Sequence, residues 1–312
     1  MTITSPPAPP DAAVTLDGLT KRYGARTAVD QLTMHIPRGS VAGFVGPNGA
    51  GKTTAMAMLL GLVRPSAGTA TVLGHPISQP ARYLGRVGAL IETPGFYPAL
   101  TGLENLRVLA AMGGHDVARI PRVLEQVGLG GRGSSRFGQY SLGMKQRLGI
   151  AGALLGDPEL VILDEPTNGL DPLGMSEMRE LIAGLAGQGR TVMVSSHLLG
   201  ELEQVCDWLL ILDHGELVYQ GATEAFAVGV ELSVAAEGNA DTGRLAELLV
   251  AAGYPVRRRG DELVVQLGDR DGRTAAAHVN RIAHAGGVVL SVLHRRRPSL
   301  EDQVLARTGG NR

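Results

Sequence analysis

Apolar and polar positions along this chain follow two rhythms. Short, mainly apolar runs occur at 41–45, 160–163, 191–195 and 209–212. Runs this short, without alternation, predict strands buried on both faces. Elsewhere apolar residues recur at helical spacing. Met56, Leu59 and Leu60 share one face of a helix predicted over 53–62, and further helices are predicted over 103–112 and 120–127, with Gly113 and Gly128 as stops. Strands alternating with helices predict an α/β domain with a largely parallel sheet. Residues 1–13 hold Pro6, Pro7, Pro9 and Pro10 among small residues, the pattern of a disordered tail. Past about residue 227 the style changes. A strand at 231–235, a helix at 242–252, a hairpin of 254–257 and 262–267 about a turn at 258–261, a helix at 273–285 and a strand at 288–293 give the order βαββαβ. That order is the ferredoxin-like arrangement and predicts a small α+β C-terminal domain.

Composition narrows the function classes. Apolar residues make up 44% of the 312 positions, enough to bury a core. With 29 basic against 30 acidic residues the net charge is −1, so the chain as a whole is no generic polyanion binder. The local clusters Arg257-Arg258-Arg259 and Arg295-Arg296-Arg297 read either as phosphate-backbone contacts or as solvated turns and strand ends. The single Cys206 excludes an internal disulfide and a cysteine-rich zinc module. No apolar run approaches the ~18 residues that span a bilayer, and no Lys or Arg precedes Lys21, which speaks against a signal peptide. A cytoplasmic protein is expected. The lysines are only three: Lys21, Lys52 and Lys145.

One of them lies in Gly46-Pro47-Asn48-Gly49-Ala50-Gly51-Lys52-Thr53, which matches G-x-x-x-x-G-K-[ST] between a predicted strand and a predicted helix. Glycines let the backbone curl so that several N–H groups point at one anion, and the helix turns its positive end toward it. Lys52 adds a point charge for the β- and γ-phosphates, and Thr53 a hydroxyl for Mg²⁺. A second element is Leu160-Val161-Ile162-Leu163-Asp164-Glu165. A buried strand that ends in Asp places a carboxylate at the edge of the sheet where α/β proteins bind ligands. Asp164 is placed to hold Mg²⁺ through water, and Glu165 to polarise an attacking water.

The run Asp164-Glu165-Pro166-Thr167-Asn168-Gly169-Leu170-Asp171-Pro172 resembles the Walker B and D-loop of the ATP-binding subunits of ABC transporters. Tyr140-Ser141-Leu142-Gly143-Met144-Lys145-Gln146-Arg147 is similar to their signature, Ser195-Ser196-His197 to their H-loop, and Lys21-Arg22-Tyr23-Gly24 to their A-loop. The motifs keep the family's order over about residues 14–225. The resemblance implies a P-loop cassette over 14–226, with a helical subdomain at about 84–156, followed by an accessory domain over 227–312. It implies two cassettes that sandwich two ATP molecules. Gly46 to Thr54, including Thr54 itself, cradle the triphosphate, and Tyr23 stacks on adenine. Ser141 and Gly143 reach the γ-phosphate held by the other copy. The resemblance further implies Glu165 as the general base, His197 as a γ-phosphate contact and Asp171 as the coupling between the two sites.

Two departures stand out. Glu92 occupies the position of the usual Q-loop Gln, where it would meet Mg²⁺ or the lytic water with an added negative charge. The signature carries Leu142 and Met144 in place of Gly and Gln. The run Ile91-Glu92-Thr93-Pro94-Gly95-Phe96-Tyr97-Pro98 resembles the subfamily that exports bacitracin and lantibiotic-like peptides. The stretch from Glu92 to Ser141 leaves no room for the coiled-coil or zinc insertions of chromosome-maintenance and DNA-repair relatives. Phe96, Tyr97, Leu100 and Leu103 either form an apolar groove that docks a membrane subunit or fill the subdomain core.

The resemblance thus implies an ATPase that drives a separate transmembrane permease, pairs with a second ATP-binding subunit (a homodimer), acts at the inner face of the membrane, and has no nucleic-acid partner. An alternative class is a soluble ATPase acting on nucleic acid or the ribosome, motivated by the arginine clusters. A third reading makes the C-terminal domain a ligand sensor. His278, His284 and His294 have no compact metal-ligand spacing. The stretch 298–302 resembles the closing segment of drug-export cassettes.

Overall fold

The computed structural model describes residues 11–92, 95–226, 231–238, 240–268 and 270–296. The chain divides into two compact units, residues 1–223 and 224–312. The first contains β1 (Val14–Tyr23), β2 (Arg26–Ile36), β3 (Val41–Val45), α1 (Lys52–Leu59), β4 (Ala67–Val72), β5 (His75–Pro76), β6 (Val87–Leu90), α2 (Gly102–Gly113), α3 (Ile120–Gln126), α4 (Leu142–Leu154), β7 (Leu160–Leu163), α5 (Pro172–Gly187), β8 (Thr191–Ser196), α6 (Leu199–Leu202), β9 (Trp208–Asp213) and β10 (Glu216–Ala222). After the short α7 (Thr223–Phe226) come β11 (Glu231–Ala236), α8 (Asp241–Ala251), β12 (Val256–Arg259), β13 (Glu262–Gln266), α9 (Gly272–Ala285) and β14 (Leu290–Arg296).

The apolar runs become the centre of a six-stranded sheet ordered β10-β9-β3-β8-β7-β6. Neighbours from β9 to β6 are parallel and β10 is antiparallel. Every residue of β3, β7 and β8 is buried, as expected of strands covered on both faces. A second, antiparallel sheet ordered β2-β1-β4-β5 was not foreseen in the sequence. Leu16, Leu19, Leu32 and Ile36 from it share one core cluster with Phe44, Met56 and Leu59. Helix α1 is therefore apolar almost all round, the mark of a helix inside a core. It stops at Leu59, short of the predicted 62, because Gly61 turns the chain at φ 70° and leaves Leu62 70% exposed.

Residues 1–10 lie outside the described residues, but Ala12 and Ala13, read as tail, are buried. The Ala13 N–H donates to Ile36 O at 2.8 Å. The segment expected to open the helical subdomain also needs correction, since β6 pairs with β7 in the large sheet. The helical part is α2, α3 and α4. Thr101 and Glu104 form a reciprocal capping box at the start of α2, and Gly114 rather than Gly113 provides its left-handed end.

The second unit is one antiparallel sheet ordered β12-β13-β11-β14, the ferredoxin-like order. Leu232, Val234, Leu263 and Val265 pack with Leu245 and Leu249 of α8 and Val279 and Ala283 of α9. Arg259 pairs with Glu262, so Arg258 and Arg259 belong to β12 and the turn is Gly260-Asp261 alone. Arg296 is committed to Glu231 at 2.9 Å. Among the described residues no helix is long and apolar enough to cross a membrane.

Candidate active site

The loop from β3 to α1 is shaped by two glycines. A Cβ at Gly46 would lie 2.4 Å from Leu212 O, and one at Gly51, which sits at φ 101°, 2.4 Å from Ala28 O. Neither position admits a side chain, so the loop curls tightly against β9 and β2. Lys52 follows, only 6% exposed. Its Nζ donates to Gly46 O at 2.6 Å and Pro47 O at 3.4 Å, and faces Glu165 Oε1 at 3.1 Å. A compact ammonium has the three donors this pocket takes, whereas a planar guanidinium presents a wider fork.

Opposite stands the end of β7. Thr53 Oγ1 donates to Asp164 Oδ2 at 2.6 Å. Glu165 adopts φ 49°, which turns its carboxylate between Lys52 and His197. Its Oε2 lies 2.8 Å from His197 Nδ1. A carboxylate only accepts, so Nδ1 carries the hydrogen and Nε2 is the nitrogen left for another partner. Lys52, Thr53, Asp164, Glu165 and His197 are thus brought together as expected. Sequence reasoning named Ser195 in the H-loop run but gave it no role. Its hydroxyl accepts the Glu165 N–H at 2.8 Å and donates to Asp164 Oδ1 at 2.5 Å. The available signal was a hydroxyl on an apolar strand whose parallel register pairs Leu163 with Val194, one step short of Asp164 and Ser195.

A cavity of ≈ 360 Å³ lies over the loop, lined by Asn48, Gly49, Ala50, Gly51, Lys52, Thr53, Thr54 and Glu165 together with Tyr23, Arg26 and Ala28. Tyr23 is 49% exposed, and Lys21 Nζ stands 4.8 Å from its ring centroid. Arg26 and Ala28 were also not foreseen.

Ser141, Gly143 and Asp171 do not line this cavity. Ser141 caps α4, accepting the Met144 N–H at 3.3 Å, and Asp171 caps α5, accepting the Gly174 N–H at 2.9 Å. The two helix starts lean on each other. A Cβ at Gly143 would lie 3.7 Å from Leu170, and one at Gly169 would lie 3.0 Å from Leu142. Further along, Arg147 of α4 is ion-paired to Glu177 of α5.

Glu92 follows β6 at φ 61° and is exposed. Nearby, a groove of ≈ 390 Å³ is walled by β6 and α4 and includes Ile91, Phe96, Leu109 and His115. Of the four candidate docking residues Phe96 alone lines it, edge-on to Phe137 at 5.2 Å. Tyr97 is 60% exposed, and Leu100 and Leu103 are half-buried. Cys206 is buried, and burial with the nearby Asp207 charge pushes its thiol up, away from thiolate chemistry.

Among the described residues no group of three or more His, Cys, Asp or Glu could cage a metal. Thr53 and Asp164 instead offer two hard oxygens beside a phosphate loop. That fits Mg²⁺, which takes one or two protein oxygens and completes its shell with phosphate and water.

Comparison with known proteins bears on the family. The family model described as ABC transporter matches residues 29–168. The chain is 48% identical over 205 residues to the bacitracin transport ATP-binding protein BcrA of Enterococcus faecalis, covering 65% of this chain and 67% of that one. It is 42% identical over 205 residues to the lantibiotic transport ATP-binding protein SrtF of Streptococcus pyogenes, covering 66% and 89%. A solved structure of the ATP-binding subunit of an ABC transporter superposes with TM-score 0.61 at 32% identity, over 69% of this chain and 91% of that one.

Proposed function

Because the chain belongs to the ABC transporter family, as an ATP-binding and ATP-hydrolysing subunit, we propose that it powers the export of a peptide antibiotic through a separate permease, and that the cluster around Lys52 is its catalytic site. The observation that carries the site assignment is Glu165 held between Lys52 at 3.1 Å and His197 at 2.8 Å beside the phosphate loop. ATP lies with its base on Tyr23 and its phosphates along Gly46, Pro47, Asn48, Gly49, Ala50, Gly51, Lys52, Thr53 and Thr54. Thr53 and Asp164 hold Mg²⁺, which supplies charge neutralisation on the phosphate oxygens.

Glu165 accepts a proton from water as that water's oxygen bonds to the γ-phosphorus. The bond to the β–γ bridging oxygen breaks, and ADP and inorganic phosphate result. Lys52 stabilises charge on the transferring group. His197 Nε2 orients the water as an acceptor, and donates to a phosphate oxygen only as imidazolium. Ser141, Gly143 and Asp171 act on the nucleotide of a second copy. The helix starts at Ser141 and Asp171 present N–H groups on a face that the P-loop cavity does not use. The groove lined by Phe96 and His115 suits a short apolar helix of the permease, which supports work at the inner face of the cell membrane.

The peptide-antibiotic reading rests on likeness to proteins named for bacitracin and lantibiotic transport. Its test is co-expression with the cognate permease in a bacitracin-sensitive bacterium. Wild-type protein raises the inhibitory concentration of bacitracin or of a lantibiotic, and Glu165→Gln does not. Equal protection by both proteins would refute the catalytic assignment. No protection by wild type against either class would refute the substrate class.

A further inference from the structure

We propose that Ser195 is a positioning residue for both acids of the ATPase site, an inference that rests on the roles given above to Asp164 and Glu165. Ser195 is fully buried, 0% exposed, near the end of β8. The residues before it, Val192, Met193 and Val194, are apolar and equally buried, so an apolar side chain would satisfy the packing of this strand. A buried hydroxyl is costly unless its hydrogen bonds are made. Here both are made, and both lead to the site.

The hydroxyl has one hydrogen to give and lone pairs to receive. It gives the hydrogen to Asp164 Oδ1 at 2.5 Å and receives the Glu165 N–H at 2.8 Å. The second bond pins the peptide that enters Glu165, a non-glycine residue at φ 49°, where few such residues lie. That turn aims the carboxylate at Lys52 and His197. The first bond fixes the plane of the Asp164 carboxylate from the side opposite Thr53, which holds Oδ2 at 2.6 Å. When the Thr53 hydroxyl turns its oxygen to a metal ion, Ser195 is the hydroxyl that still anchors Asp164. One side chain therefore ties the orientation of the general base to that of the metal-holding acid.

The experiment uses the full chain with Ser195→Ala. Expected is a fall in kcat of ~10- to ~100-fold, the range for partners that orient ligating groups, with the ATP KM and metal-free binding of a fluorescent ATP analogue unchanged. The Mg²⁺ concentration that half-saturates the metal-dependent part of analogue binding rises severalfold. At saturating Mg²⁺ in a Glu165→Gln background, Ser195→Ala causes no further loss of single-turnover rate, because the base it aims is gone. Should Ser195→Ala fold poorly, Ser195→Cys replaces it in each comparison, keeping the volume with a weak donor.

Wild-type kcat and Mg²⁺ dependence in Ser195→Ala would overturn the inference. So would an equal loss in both backgrounds, or a loss that follows the fall in Tm with no change in Mg²⁺ dependence. Full turnover by Glu165→Gln alone would instead remove the assignment of Glu165 on which the inference stands.

Discussion

Replacing Glu165 with glutamine removes one negative charge and keeps the shape of the side chain. Its two oxygens face Lys52 Nζ at 3.1 Å and His197 Nδ1 at 2.8 Å. Lys52 is nearly buried and Glu165 largely so, so solvent screens the pair only in part. Phosphates arriving at the loop compete with Glu165 for the same ammonium. A hydrogen bond to a charged group contributes about 1.5–3 kcal/mol net. Weakening that competitor therefore tightens ATP binding by up to ~10- to ~100-fold, at ~1.4 kcal/mol per decade. Lys52 stays held by Gly46 O at 2.6 Å, so the loop keeps its form. Turnover falls by ~10²- to ~10⁴-fold, the contribution of a positioned general base. Fluorescent ATP-analogue titration reads the first effect and phosphate release the second. Unchanged or weaker nucleotide affinity would refute the competition for Lys52, and undiminished phosphate release would refute the base.

Other perturbations separate the remaining contributions. Tyr23→Ala weakens ATP binding by ~10- to ~100-fold if the ring stacks on the base at ~1–3 kcal/mol, while Tyr23→Phe leaves it unchanged; equal weakening in both variants would point to the hydroxyl instead. Gly88→Ala drives a Cβ to 2.1 Å from Ala153 O, so β6 and α4 must part. The expected cost is ~1–3 kcal/mol, seen as a Tm lower by ~2–4 °C per kcal/mol, and an unaltered Tm would deny that close approach. Glu159 is held below the usual carboxylate range by its hydrogen bond to Arg86. A lowered carboxyl pKa stabilises the fold at neutral pH, and that contribution fades as pH falls below about 4. Glu159→Gln should thus be slightly less stable than wild type at pH 7, with the gap narrowing as pH falls below about 4 in urea titrations. A gap that widens on acidification would reverse the sign.

What was legible in the chain depended on how locally each feature is determined. Strands β3, β7 and β8 were readable because burial on both faces writes itself as short, mainly apolar runs without alternation. Strand β6, Val-Gly-Ala-Leu, was absorbed into the helical subdomain, since two small residues give no β signal. The antiparallel sheet escaped because β1 and β2 carry polar residues on an exposed side and pair with register shifts. Lys52, Thr53, Asp164, Glu165 and His197 were found because each stands at a fixed place in a motif. Ser195 was not given a role because its two bonds depend on the register between β7 and β8. Glu92 was read as a metal contact from its place in the chain, but its left-handed backbone at φ 61° and its exposure were not legible there.

Leu142 and Gly169 constrain the order in which this chain can be altered. A side chain at 169 would meet Leu142 at 3.0 Å, and the backbone there already sits at φ 76°. Substituting 169 first would push against Leu142 at the very start of α4 and disturb Ser141. Substituting 142 by glycine first opens that space and leaves only the backbone penalty at 169. Residue 142 thus sets how easily residue 169 can grow: with Leu142 in place its side chain has to give by a few tenths of an ångström, and with glycine there it does not.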